Sequence, residues 1–182
     1  NRPYPYMYDV LNNESITAMI NKVAEDLGGI YGLVNHCPGP KAGTFEALTE
    51  ADWADGYQKC LYSYTTAIRA ALPYMKQGGG GRIVNSTSSS IKQELDNLIL
   101  SNTFRMGVVG MSKTLSSELG KDNILINVIG PALSGSQSDH GRRHSYELKV
   151  ARRVVQKYSG TMATEPRGEL FAVKIVMPLT RG

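Results

Sequence analysis

Two periods of apolar residues organise the chain. In "ESITAMINKVAEDLG", Ile16, Met19, Ile20, Val23 and Leu27 recur at helical spacing, and Gly28 and Gly29 stop the run. Asn12 and Asn13 stand before it as cap residues. "IYGLVNH" is instead a short continuous apolar run, the pattern of a buried strand, and "CPGPKAG" follows it as a loop. Thr49 and Asp52 in "LTEADW" make a capping box, with Asp in place of the usual Glu. A long helical pattern then runs from about Gly56 to Lys76 and breaks at "GGGG", 78–81. "RIVNSTS" and "NILINVIG" read as two further strands, and "LSNTFRMGVVGMSKTLSSEL" between them as an amphipathic helix over 100–119. "YPYMYDV", 4–10, alternates enough to predict a short strand ending at Asp9. Helices are expected over 144–158 and 165–177.

Short apolar strands alternating with helices predict an α/β fold with a parallel sheet. Ligands of such sheets lie beyond the carboxyl ends of the strands. Candidate chemistry therefore falls at Asp9, at Asn35 to Gly39, at Ser86 to Ser90 and at Pro131 to Ser136, all polar, Gly-rich or Pro-rich turns. The 100–119 helix raises a separate question. It opens on Ser101 and Arg105, a hydroxyl and a guanidinium four residues apart on one helix face.

Composition narrows the partners. The 182 residues are 41% hydrophobic and 20% charged, which fits one globular domain with its own core. A net charge of +4, with no dense Lys/Arg run among aromatics, argues against nucleic acid. The basic residues from Arg142 to Lys157 read as a solvated helix face. Cys37 and Cys60 lack the paired spacing of a zinc site or disulfide framework, so a reduced, cytoplasmic protein with no metal is expected. The two cysteines read as small buried fillers. No apolar run reaches membrane-spanning length, and no membrane association is expected.

Over residues 6–136, and more faintly to about 177, the order of motifs resembles the short-chain dehydrogenase/reductase family. That family has a Rossmann-type doubly wound parallel sheet and uses NAD or NADP. "YDV" resembles its Asp-Val turn, which implies Asp9, with Val10, against the adenine. "LVNHCPG" stands where the family has Leu-Val-Asn-Asn-Ala-Gly; Asn35 matches, while His36, Cys37 and Pro38 depart. "GRIVNSTS" resembles the strand of the catalytic serine and implies that role for Ser88. "LINVIGPA" resembles the Val-Asn-x-x-x-Pro-Gly segment along the nicotinamide. Asn127 and Pro131 match it, Ala132 replaces Gly, and Ser136 stands for the usual Thr.

The resemblance fails at the centre of the chemistry. The family's catalytic Tyr falls on Ser101, its Lys on Arg105 and its Asn on Cys60, so only Ser88 remains of the set. In the family the phenol protonates the carbonyl oxygen as hydride arrives, and Lys lowers its pKa from about 10 toward the working pH. A serine hydroxyl is a far poorer acid. Arg stays protonated to a pH of about 12 or more and relays no proton. Ser101 can still donate a hydrogen bond, and Arg105 can hold a cofactor ribose or phosphate. Lys92 and His36 are candidate replacement acids by position, whereas Tyr62 and Tyr64 read more readily as core packing.

The resemblance thus implies an NAD(P)-dependent oxidoreductase acting on a small carbonyl or secondary alcohol, 3-oxoacyl-carrier-protein reductase-like, with an atypical active site. The alternative is a non-catalytic dinucleotide-binding sensor or partner subunit on the same fold. Helices 56–76 and 101–119 resemble those of the family's dimer interface, which implies a homodimer or homotetramer, with Gly107 and Gly110 permitting close packing. No Gly-x-x-x-Gly-x-Gly turn precedes Asp9, and "GGGG" follows a helix rather than a strand. In the strand order 3-2-1-4-5-6, a third strand ending at Asp9 would have no neighbour. The expectation is one incomplete Rossmann-type domain over residues 1–182, lacking its first strands, as part of a longer chain.

Overall fold

The computed structural model describes residues 5–131, 161–167 and 170–176. The chain divides into two units, one spanning Tyr8–Ala132 and the other including Asn1–Met7 and Leu133–Gly182. Each is described by itself.

In the larger unit α1 (Asn13–Leu27) is followed by β1 (Gly32–Asn35), α2 (Glu50–Tyr57), a π-helical segment (Gln58–Tyr62), α3 (Ser63–Gln77), β2 (Gly81–Ser86), α4 (Ile99–Leu119) and β3 (Ile124–Ile129). The three strands form one parallel sheet in the order β1-β2-β3, with Asn35 beside Asn85 and Ser86 beside Ile129. The expected α/β fold with a parallel sheet is the observed one. Among the described residues no helix is long and apolar enough to cross a membrane.

Local chemistry sets the element ends. Asn12 caps α1 by accepting from the backbone N–H groups of Glu14 and Ser15, and Gly28 ends it at φ 74°. Thr49 and Asp52 form the capping box: Thr49 Oγ1 accepts from Asp52 N at 3.3 Å, and Asp52 Oδ2 accepts from Thr49 N at 2.9 Å. The helix therefore starts at Glu50 rather than at the expected Gly56. It does not continue unbroken, because the π turn at Gln58–Tyr62 intervenes and carries Cys60 into the interior.

The main core joins Ile20 and Ala24 of α1 to Ile68, Ala71 and Met75 of α3, Ile83 of β2 and Ile124 of β3. Gly81 is required at the start of β2, since a Cβ there would lie 2.5 Å from the Met75 sulfur. A buried polar ladder crosses the sheet. Asn35 Nδ2 donates to Asn85 Oδ1 at 2.9 Å, Asn85 Nδ2 donates to Ser112 Oγ at 2.9 Å, and Ser112 Oγ donates to the Val108 carbonyl at 2.7 Å.

Two expectations are corrected. Residues 5–9 form no strand. A strand needs a ladder partner, and β1-β2-β3 offers this segment none. The Asp9 backbone and carboxylate are used locally instead: Asp9 N donates to Ser15 Oγ, and Asp9 Oδ1 accepts from Leu11 N, each at 2.9 Å. The helix expected over 165–177 is also absent. The smaller unit has an antiparallel hairpin, β4 (Thr161–Arg167) and β5 (Leu170–Val176), in which Arg167 faces Leu170. Alternating Phe171, Val173 and Ile175 favour a strand, and Gly168 disfavours a helix. The helix expected over 144–158 lies outside the described residues.

Asn85→Ala removes the middle of the ladder and is expected to lower the unfolding free energy by about 2 kcal/mol, read as an earlier urea midpoint. The capping box predicts a pH effect. The Thr49 N–H, then the Lys41 ammonium, hold the Asp52 carboxyl down at about 2. Its contribution is complete above the ordinary carboxylate range near pH 4 and is lost as pH falls through about 2. Acidification from pH 4 to 2 should lower the Tm of the wild type more than that of Asp52→Asn.

Candidate functional site

Because the sheet is parallel, Asn35, Ser86 and Ile129 all lie at one end of it. The turn after β2 is tied to the end of β3: Thr87 N and Thr87 Oγ1 both donate to the Ile129 carbonyl at 2.8 Å. A Cβ on Gly130 would lie 2.8 Å from Ile91 and 3.0 Å from the Ser88 carbonyl, so the two turns are in contact. Ser88 is half-buried and caps the short 3-10 turn Ser89–Ile91, its Oγ accepting from Ser90 N at 3.3 Å.

Two helices grip this turn from within. The Tyr64 hydroxyl of α3 donates to the Ser86 carbonyl, and Arg105 Nη1 of α4 donates to the Thr87 carbonyl at 3.0 Å. Ser101 Oγ lies 3.3 Å from Ser90 Oγ. Ser101 and Arg105 are only 5% and 4% exposed, so both groups serve the protein's interior.

Beside these residues, Cys37, Cys60, Tyr64 and Val108 form a second buried cluster. The hydrogen bond with Cys37, then burial, pushes the Cys60 thiol up, against the pull of Arg105 and Lys59. Burial, then Cys37, pushes the Tyr64 phenol well up, and Arg105 opposes it. Tyr64 therefore stays protonated and holds a carbonyl; it is not poised to lose a proton.

Of the other expected residues, Asp9 is exposed in the turn before α1. Val10, Asn35 and His36 help line a hollow of about 70 Å³, together with Tyr8. Lys92 is exposed at the end of the Ser88 turn, and its ammonium makes no hydrogen bond or ion pair among the described residues. Pro131 is buried, and Ser136 lies outside the described residues. Sequence reasoning missed Ser90 and Thr87 as the groups that Ser101 and Arg105 engage. The run of hydroxyl residues from Ser86 to Ser90 was the available signal.

Uncharged hydroxyls and amides at the sheet's carboxyl end, with the Gly130–Pro131 turn against them, fit the nicotinamide half of a dinucleotide. Pyrophosphate calls for a glycine turn at a helix N-terminus, which the described residues do not contain.

A parallel sheet with helical crossovers and a polar site past its carboxyl ends defines the dinucleotide-binding, Rossmann type of fold. The chain belongs to the short-chain dehydrogenase/reductase family: a family model described as Enoyl-(Acyl carrier protein) reductase matches residues 2–165. It is 30% identical over 131 residues to "Probable galactose dehydrogenase GalD" of Rhizobium meliloti, covering 72% of this chain and 51% of the relative. D-xylose 1-dehydrogenase of Caulobacter vibrioides is 31% identical over 132 residues, covering 71% of this chain and 52% of its own length. The L-sorbose reductase of Gluconobacter frateurii, solved with NADPH and L-sorbose, superposes with a TM-score of 0.67 at 26% identity, covering 82% of this chain and 54% of that one. The chain spans about half the length of these curated relatives.

Arg105→Ala removes a buried charge-assisted hydrogen bond and is expected to cost about 3 kcal/mol; Tyr64→Phe is expected to cost about 1 kcal/mol. Both residues hold one turn, so the double variant should depart from additivity by about 0.5 kcal/mol or more. Denaturation of the four proteins measures this.

Proposed function

We propose that the protein is an oxidoreductase that moves hydride between NAD or NADP and a small carbonyl compound or secondary alcohol. The observation that carries the reading is the placement of Ser88. It is half-buried at the carboxyl end of β2, and its Oγ accepts from Ser90 N, which leaves its own proton to donate to a substrate oxygen. The nicotinamide, when bound, supplies or accepts the hydride. Asp9 and Val10 would hold the adenine; Asn35 and Pro131 would hold the nicotinamide side.

Ser101 and Arg105 then act through the protein. They fix the Ser88 turn by way of Ser90 and the Thr87 carbonyl. Of the replacement acids, Lys92 is favoured, because its ammonium is exposed on the same turn as Ser88. His36 stands at the end of β1 instead. The names of the relatives favour a sugar or polyol substrate over a 3-oxoacyl thioester. A homodimer packing through α3 and α4 completes the reading. Met106 is 47% exposed and a Cβ on Gly110 would meet nothing, whereas Gly107 is covered by the chain's own Leu61.

A second reading, dinucleotide binding without catalysis, is favoured by the inward engagement of Ser101 and Arg105. Calorimetric titration with NADH and NADPH, and turnover on a panel of aldoses, ketoses, polyols and a 3-oxoacyl thioester, separate the two. The enzyme reading expects binding of one cofactor and turnover that Ser88→Ala lowers by about 100-fold or more with cofactor affinity kept. Binding without turnover selects the second reading, and no binding of either cofactor overturns both.

A further inference from the structure

The interior next to the site holds two reduced cysteines that the proposed reaction does not use. Cys37 lies in the turn after β1 and Cys60 in the π-helical segment, far apart in sequence but in one buried cluster with Tyr64 and Val108. The Cys60 sulfur also approaches the Pro38 carbonyl at 3.8 Å, which places it against the residue next to Cys37. Cys37 is the strongest single influence on the Cys60 thiol and holds it in its neutral form. Cys60 is 0% and Cys37 2% exposed, so neither is open to a bulky reagent.

We propose that Cys37 and Cys60 are a redox-active pair that closes to a disulfide when the protein meets a peroxide, tying the turn after β1 to the helix before α3. The pairing is set by the fold, independently of hydride transfer. In the first step one sulfur attacks a peroxide oxygen. The O–O bond breaks, an S–O bond forms, and the departing oxygen takes the thiol proton and leaves as water. In the second step the other sulfur attacks the sulfenic sulfur. The S–S bond forms, the S–O bond breaks, and the leaving hydroxide takes the second thiol proton to give a second water. Two thiols lose two electrons in all, and one peroxide gains them.

Burial and the neighbouring thiol make the first step slow, because the thiolate is the nucleophile. The groups facing Cys60 are Cys37 from the β1 turn, Lys59 on its own segment and Arg105 from α4; Tyr64 from α3 shares the cluster. The two cations draw the thiol toward its anion and the neighbouring thiol opposes them, so the rate should climb as pH rises through the alkaline range. The second step is intramolecular and outruns capture by outside thiols.

The test incubates the full chain, folded and without denaturant, with hydrogen peroxide, and maps peptides under non-reducing conditions. The expected product is a Cys37–Cys60 linked peptide, two hydrogens lighter than the reduced pair, in most of the chains and reversed by dithiothreitol. Cys37→Ala should instead leave Cys60 as a sulfenic acid that dimedone traps once the oxidised chain is unfolded in its presence. Separate sulfinic or sulfonic acids at the two cysteines of the wild type, or a linked peptide that forms only in urea, would overturn the proposal. Mapping of the wild type decides it even where a variant fails to fold, and it stands or falls apart from any result on cofactor binding.

Discussion

The carboxyl end of β2 is held in place by side chains drawn from three neighbouring elements. Asn85 is bonded on one side to Asn35 of β1 and on the other to Ser112 of α4. The next two carbonyls, of Ser86 and Thr87, take the Tyr64 hydroxyl and the Arg105 guanidinium. A buried polar group costs more unpaired than its hydrogen bond contributes, so these contacts are mutually dependent. The sheet cannot shift against α3 or α4 without stranding several of them.

That constraint decides what Ser101 and Arg105 do. A serine side chain is short, so the Ser101 hydroxyl reaches Ser90 and stays inside the protein. Ser101 and Arg105 share one face of α4, and their polar ends engage the turn that carries Ser88.

Much of this was legible in the sequence where the signal was local. The three strands were visible as short apolar runs, α1 as a stripe with Asn12 before it and Gly28 after, and α2 as a capping box. What needed a partner elsewhere in the chain was not legible. Alternation over 4–10 resembled a strand, but no ladder receives it. The stretch at 165–177 kept a helical look that pairing with Thr161–Arg167 overrode. The π turn has no apolar period of its own, so the inward aim of Cys60 was hidden although its burial was expected. Nor could spacing show that Arg105 would find a backbone carbonyl, since every residue offers one.

A guanidinium at this place in α4 has its own logic. A lysine in a low-dielectric setting can shed its charge, whereas a guanidinium cannot. Arg105 at 4% exposure keeps its charge where it sits, and Nη1 donates to the Thr87 carbonyl just past β2. The Arg105 charge fixes Thr87, and Thr87 is fixed again by two bonds to Ile129. Ser88 is the next residue. Its position is thus secured by a permanent charge, one that the guanidinium cannot shed.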